Sequence, residues 1–207
     1  MKVPFTTEQF FNVFEKYNST MFPVQIVILV LALTGIFLLH SKKVYKHKFI
    51  GAFLGLLWIW TGLVYHFAFF TEINKVAFAF GGIFILQGVL ILINSFKEKL
   101  VFTFQPQAKD YIGYFFILFG LIIYPLIGYL TGGSMVKAIS LGLPCPSTIL
   151  TFGFLMLTNS KFPKYLLIIP SLWAIMGTSA AINFGVYQDY MMILAAVIAN
   201  FYLLRRK

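Results

Sequence analysis

The chain's one cysteine, Cys145, stands between two prolines in "LGLPCPSTIL", residues 141–150. A thiol can act as a nucleophile or as a metal ligand when a base or cation lies beside it. Three histidines and six carboxylates are the other groups that could join it. His66, Cys145 and Asp189 could in principle share one metal, but the chain carries no HxxxH or HExxH pair to anchor such a site. A nucleophile elbow, a Walker motif, a dinucleotide fingerprint and a lysine in the last apolar segment are missing too. The motifs therefore assign no catalytic residue, no metal and no cofactor, and catalysis is not the favoured reading.

A looser constellation remains: Tyr65, His66, Tyr124, Cys145, Ser147, Thr148, Gln188 and Asp189, each in or at the end of an apolar segment. Polar groups at membrane depth are costly; any one of these alone reads as a cap or an interfacial group, while the set together points to a ligand or ion pocket. Whether they meet depends on the elements that carry them.

The composition settles what those elements are. Of 207 residues, 60% are hydrophobic and only 11% charged, which fits an all-α polytopic membrane protein and excludes an ordinary soluble domain. Seven apolar segments, over about 20–40, 49–70, 75–95, 111–131, 141–158, 164–181 and 184–204, each approach the ~20 residues that cross ~30 Å of hydrocarbon. The longest polar connection, Ser95 to Asp110, is too short for a separate core, so 1–207 reads as one integral membrane domain.

Charge sets the orientation. Twelve of the sixteen Lys and Arg fall in the alternate connections after the first, third and fifth segments and at the C-terminus. Only Lys2, Lys16, Lys75 and Lys137 lie on the other side. The positive-inside rule then predicts N-terminus outside and C-terminus cytoplasmic. Cations spread as membrane anchors do not make a nucleic-acid face, and the partner implied is the lipid bilayer. No oligomeric state is legible. The first twenty residues have no cleavable leader pattern.

Before the first segment, "PFTTEQFFNVFEKYN" pairs Thr6 with Gln9 at capping-box spacing and puts Phe10, Phe11, Phe14 and Tyr17 on one helical face. It predicts an amphipathic surface helix over 5–18, either an interfacial anchor or a lid over an outer cavity. "FIGAFLGLLWIWTG" from Phe49 resembles "YIGYFFILFGLIIYPLIG" from Tyr111, and Leu57-Trp58-x3-Gly62 recurs as Leu172-Trp173-x3-Gly177. These echoes suggest three helical hairpins added to a first helix. Gly51, Gly55, Gly81, Gly82, Gly120, Gly177, Ala180 and Ala181 read as close-packing positions, and Gln87 as an interhelical hydrogen-bond donor.

With this topology, all eight polar candidates collect in the outer leaflet. The prolines at 144 and 146 should delay the fifth helix to about Pro146, leaving 13 residues to Thr158, or ~20 Å. Such a half-helix would aim free N–H groups, with Ser147 and Thr148 beside them, at a small polar or anionic solute. Capping of the last helix by Asp189 or Asn183, and an inert Cys145, are the competing structural readings.

"PFTTEQFFNVFEKYN", "WIWTGLVYHFAFFTEIN", "YPLIG", "GLPCPSTILTFGFL" and "PSLWAIMGTSAAINFGVYQD" together resemble a family of small bacterial membrane proteins catalogued as a domain of unknown function. The resemblance spans nearly the whole chain and implies a multi-pass protein of the bacterial inner membrane; it carries no activity. One departure is "TGGSM", where Gly133 and Ser134 replace an expected Gly-His. The expectation is a transporter or channel for a small polar or anionic solute, with His66 and Asp189 as proton-coupling groups. The alternatives are an embedded enzyme, a thiol or metal handler using Cys145 and His66, or a sensor or assembly subunit.

Overall fold

The computed structural model describes residues 4–132, 137–158 and 162–205. Lys2, Lys161, Arg206, Lys207, Gly133 and Ser134 lie outside them, as does the side chain of Ala180. Six helices are long and apolar enough to cross a membrane: α1 (Thr7–Leu39), α2 (Lys46–Glu72), α3 (Ala77–Phe96), α4 (Ala108–Thr131), α6 (Lys164–Phe184) and α7 (Tyr187–Leu204). Between the fourth and the sixth lies a short apolar helix, α5 (Pro144–Met156). The protein is an all-α multi-pass bundle.

The six long helices present Phe, Leu, Ile and Val side chains outward, among them Phe22, Phe37, Leu56, Phe78, Leu118, Leu172 and Val197. That apolar belt suits lipid. Helix α5 shows almost nothing to it: apart from half-buried Cys145, every residue from Pro144 to Met156 is buried. It packs against α4 and α7, with α6 and α2 also touching it. The expected hairpins α2/α3, α4/α5 and α6/α7 all exist as packed pairs.

Glycines set the closest approaches. A Cβ at Gly55 would stand 2.9 Å from Gly88 O, and one at Gly62 would stand 2.7 Å from Gly81 O. Gly113 and Gly153 meet likewise between α4 and α5, while a Cβ at Gly120 would stand 2.7 Å from Pro146 O. Small side chains let helices pack by dispersion where lipid gives no hydrophobic drive. Gly82 departs from expectation, since nothing lies within 4 Å of a Cβ there.

The first helix also differs from expectation. The Thr6–Gln9 capping box forms, with Thr6 N–H donating to Gln9 Oε1 at 2.8 Å and Gln9 N–H to Thr6 Oγ1 at 3.2 Å. The surface helix and first span are, however, one continuous 33-residue helix, about 50 Å long, running through Pro23. A proline costs one backbone bond, and no residue between Asn18 and Phe22 stops the helix before it. The extra length carries its first turns over the ends of α2 and α6. Phe10 stacks on Phe184 at 4.4 Å between centroids and Phe14 on Tyr65 at 5.9 Å. That aromatic face meets protein, as a lid would, rather than lipid.

All long helices run between a lysine-rich end and a lysine-poor end. At the lysine-rich end the C-terminus of α5 meets a buried ion pair: Lys109 Nζ lies 2.5 Å from Asp110 Oδ1, with side chains 7% and 1% exposed. Lys109 also donates to Met156 O and, at 3.4 Å, to Thr158 O. A cation on the last carbonyls of a helix opposes the negative end of its dipole. Asp110 Oδ2 accepts from Gln105 N–H at 2.6 Å, and Thr103 N–H donates to Leu157 O at 2.8 Å.

Candidate functional site

The lysine-poor end of α5 carries the site. Leu143 is its extended N-cap, and the helix begins at Pro144 instead of Pro146. The restriction that a proline places on the residue before it is a bias, and packing overrides it at Cys145. Pro144 and Pro146 occupy first-turn positions, where a missing N–H does no harm. Ser147 N–H already bonds Leu143 O at 3.3 Å, so Cys145 holds the sole outward-facing backbone donor of that turn.

The expected row of free N–H groups is thus absent, because the prolines remove it. Both hydroxyls bond to nearby backbone as well. Ser147 Oγ accepts from Gly142 N–H at 3.2 Å, and Thr148 Oγ1 donates to Pro144 O at 2.8 Å.

The non-helical stretch before α5 is buried in protein over 138–143, apart from half-buried Ser140, while Lys137 is exposed. Irregular backbone survives at membrane depth only when its polar groups are satisfied. Helix α1 does much of this: Asn18 Nδ2 donates to Ala138 O at 2.8 Å, Gln25 Nε2 to Ser140 Oγ at 3.1 Å, and Tyr17 OH to Gly142 O at 3.0 Å. Trp60 Nε1 in turn donates to Tyr17 OH at 2.8 Å. Gly142 sits at φ +98°, open to glycine and strained for other residues.

Beside the α5 N-terminus, Tyr124 OH donates to Asp189 Oδ1. Asp189 is the N-cap residue of the last regular helix but makes no capping bond. Its carboxyl turns inward and is 1% exposed. Asn183 does not cap either; its Nδ2 bonds back to Ser179 O at 2.7 Å. The Cys145 thiol faces Asp189, Tyr124 and the Trp173 indole, and Tyr65 lies within electrostatic range of Cys145 and Asp189. Five of the eight sequence candidates, Tyr65, His66, Tyr124, Cys145 and Asp189, therefore cluster together with Trp173.

Several atoms of this cluster have no hydrogen-bond partner among the described residues. They are Asp189 Oδ2, Trp173 Nε1 and both ring nitrogens of His66. His66 is fully buried and ringed by Tyr65, Phe70, Phe80, Phe84 and Trp173, with centroids 4.7–6.2 Å away. Buried polar atoms are nearly always paired, so a concentration of unpaired ones marks a place that a bound molecule can satisfy. Among the described residues, no three of His, Cys, Asp and Glu are grouped to hold a metal.

Two widened helical turns border the cluster. Residues 61–69 of α2, carrying Tyr65 and His66, and 119–123 of α4, leading into Tyr124, are π-helical. In α4 the cause is Pro125, whose ring would collide with the carbonyl of Leu121 in a regular helix. Such insertions gather at functional sites.

Above the cluster, a cleft of about 580 Å³ opens at the lysine-poor end, lined by residues including Glu8, Asn12, Thr131, Lys137, Ile139 and Gln188. Of the eight candidates only Gln188 lines this cleft, next in sequence to Asp189. Gln87 Nε2 donates to Leu166 O at 2.9 Å, an interhelical bond as its mid-span position implied.

Sequence reasoning missed Trp173 as a site residue, although the Trp-x3-Gly echo was the available signal. Both indoles of that echo face α5: Trp58 Nε1 donates to Thr151 Oγ1 at 3.0 Å, and Trp173 faces Cys145. Asn18 and Gln25 were missed as well, being read as parts of an anchor and a lipid span.

Fold and site together define a multi-pass helical membrane protein with a half-length central helix and a buried polar cluster at its N-terminus. The chain belongs to the family of unknown function DUF6064, which matches residues 7–207. No curated protein and no solved structure matches it.

Proposed function

We propose that the protein is a transporter that takes a small polar solute from the cleft at the lysine-poor face toward the Asp189, Cys145 and Trp173 cluster. The observation that carries this reading is the group of unpaired polar atoms beneath the cleft, Asp189 Oδ2 and Trp173 Nε1 above all. One is an acceptor and the other a donor, so a molecule that reached them with both functions would satisfy both. An anion fits less well than the sequence implied, since a carboxyl faces the site and the α5 N-terminus offers one N–H instead of several. The solute would first occupy the cleft and then pass Gln188. The lysine distribution supports reading that face as the outer side of the membrane.

Thermal unfolding of the purified chain with a panel of neutral amides, polyols and small amines tests the proposal, followed by flux into liposomes. At least one compound should stabilise the wild type, and its apparent affinity should fall at least about tenfold in Trp173→Phe and in Asp189→Asn, the effect of losing one well-made hydrogen bond to a bound ligand. Unaltered binding in both variants, or no stabilising compound, overturns the reading.

A further inference from the structure

We infer that Asp189 is a proton-exchange carboxyl, loading and releasing one proton toward the cleft past Gln188. The inference rests on the solute reading of the same site and adds what couples to it. Asp189 is 1% exposed, with Oδ1 held by Tyr124 and Oδ2 without a partner among the described residues. The titratable groups facing it are Tyr124 from α4, Cys145 from α5 and Tyr65 from α2, and Trp173 of α6 completes the surround through Cys145. None of these is a cation. A carboxylate taken out of water with no opposite charge is far too costly to persist, so a cation must arrive with the charge.

The surround selects which cation. Hard metal ions take about six oxygen ligands, whereas here one carboxyl and two phenols supply oxygen and the other groups are a thiol and an indole N–H. A proton needs only the one carboxyl oxygen that is unpaired. His66, expected from sequence to share the coupling, is set apart: its ring is enclosed by aromatic rings, with Trp173 contacting it on one side and facing Cys145 on the other.

Labelling with dicyclohexylcarbodiimide reads this directly. The reagent takes the acid proton onto its nitrogen while the carboxyl oxygen adds to its central carbon, so it modifies buried protonated carboxyls and spares ionised ones. The full chain in detergent and in liposomes, mapped by mass spectrometry across a pH series, should carry an adduct at Asp189. Its yield should fall about tenfold per pH unit above a midpoint, as one titrating proton requires. Replacing choline by sodium should not change it. Tyr124→Phe removes a donor to the ionised form and should raise the midpoint by about one unit. Gln188→Ala leaves both groups in place and should speed labelling.

No adduct at Asp189 across the series, a yield independent of pH, or suppression by sodium at constant pH each overturns the inference. Solute flux without an Asp189 adduct would remove proton exchange and leave the solute reading standing. The adduct with its pH dependence, but with no solute bound, would support proton exchange and remove the solute reading.

Discussion

Replacing Lys109 by Met should destabilise the protein more than any other single change at the lysine-rich end. The ammonium serves a 2.5 Å ion pair with Asp110 and the terminal carbonyls of α5, all within a region where both side chains are under one-tenth exposed. Removing one partner of a buried pair leaves the other charge in low dielectric, which costs roughly 3–5 kcal/mol. Asp110 would retain the Gln105 N–H and, at 3.5 Å, Gln107 Nε2, so the lower half of that range applies best. For a chain of this size each kcal/mol moves the midpoint by roughly 2–4 °C, giving a fall of roughly 6–16 °C. Thermal unfolding in detergent, followed by tryptophan fluorescence, measures it. Lys109→Met with Asp110→Asn should recover at least half of the loss, because no charge is then stranded. A single variant within about 2 °C of wild type, or a double variant no better than the single, refutes the reasoning that a cation caps α5 in low dielectric.

Gly153→Ala should destabilise by about 1–3 kcal/mol, since the new Cβ would stand 2.6 Å from Gly113 O and push α4 off α5; the same unfolding assay checks it. Gly142→Ala should lower stability by a similar amount, because φ is +98° and the methyl would meet Tyr17 OH at 3.0 Å. Tyr17→Phe should cost about 1–3 kcal/mol, leaving Gly142 O with only the long 3.4 Å bond from Thr61 and stranding the Trp60 N–H. Protease cleavage within residues 137–143 should rise with it; unchanged protection would show that Tyr17 does not hold that stretch.

The amino-acid sequence by itself determined the class, the number of apolar segments and the side on which the polar candidates gather. Composition, hydrophobic run length and lysine placement are additive properties of short windows, so they need no knowledge of contacts. It also told that the fifth segment is too short to span, although the helix runs from Pro144 to Met156 instead of from Pro146 to Thr158. The partners of those candidates were not legible. Ser147 and Thr148 each bond to nearby backbone, and Lys109 looks like a surface anchor until it is found beneath α5.

Tertiary structure alone decided these matters. A hydroxyl or ammonium has the same identity whether it meets a solute, a carbonyl or water; for Lys109, Tyr17 and Asp189 the choice is made by the approach of chain segments more than forty residues apart. Tyr124 and Asp189 are 65 residues apart, and Tyr17 and Gly142 are 125 apart. Asp189 could have capped its own helix, a local option the sequence favours equally; it turns inward to Tyr124 because the folded bundle puts the stronger partner there.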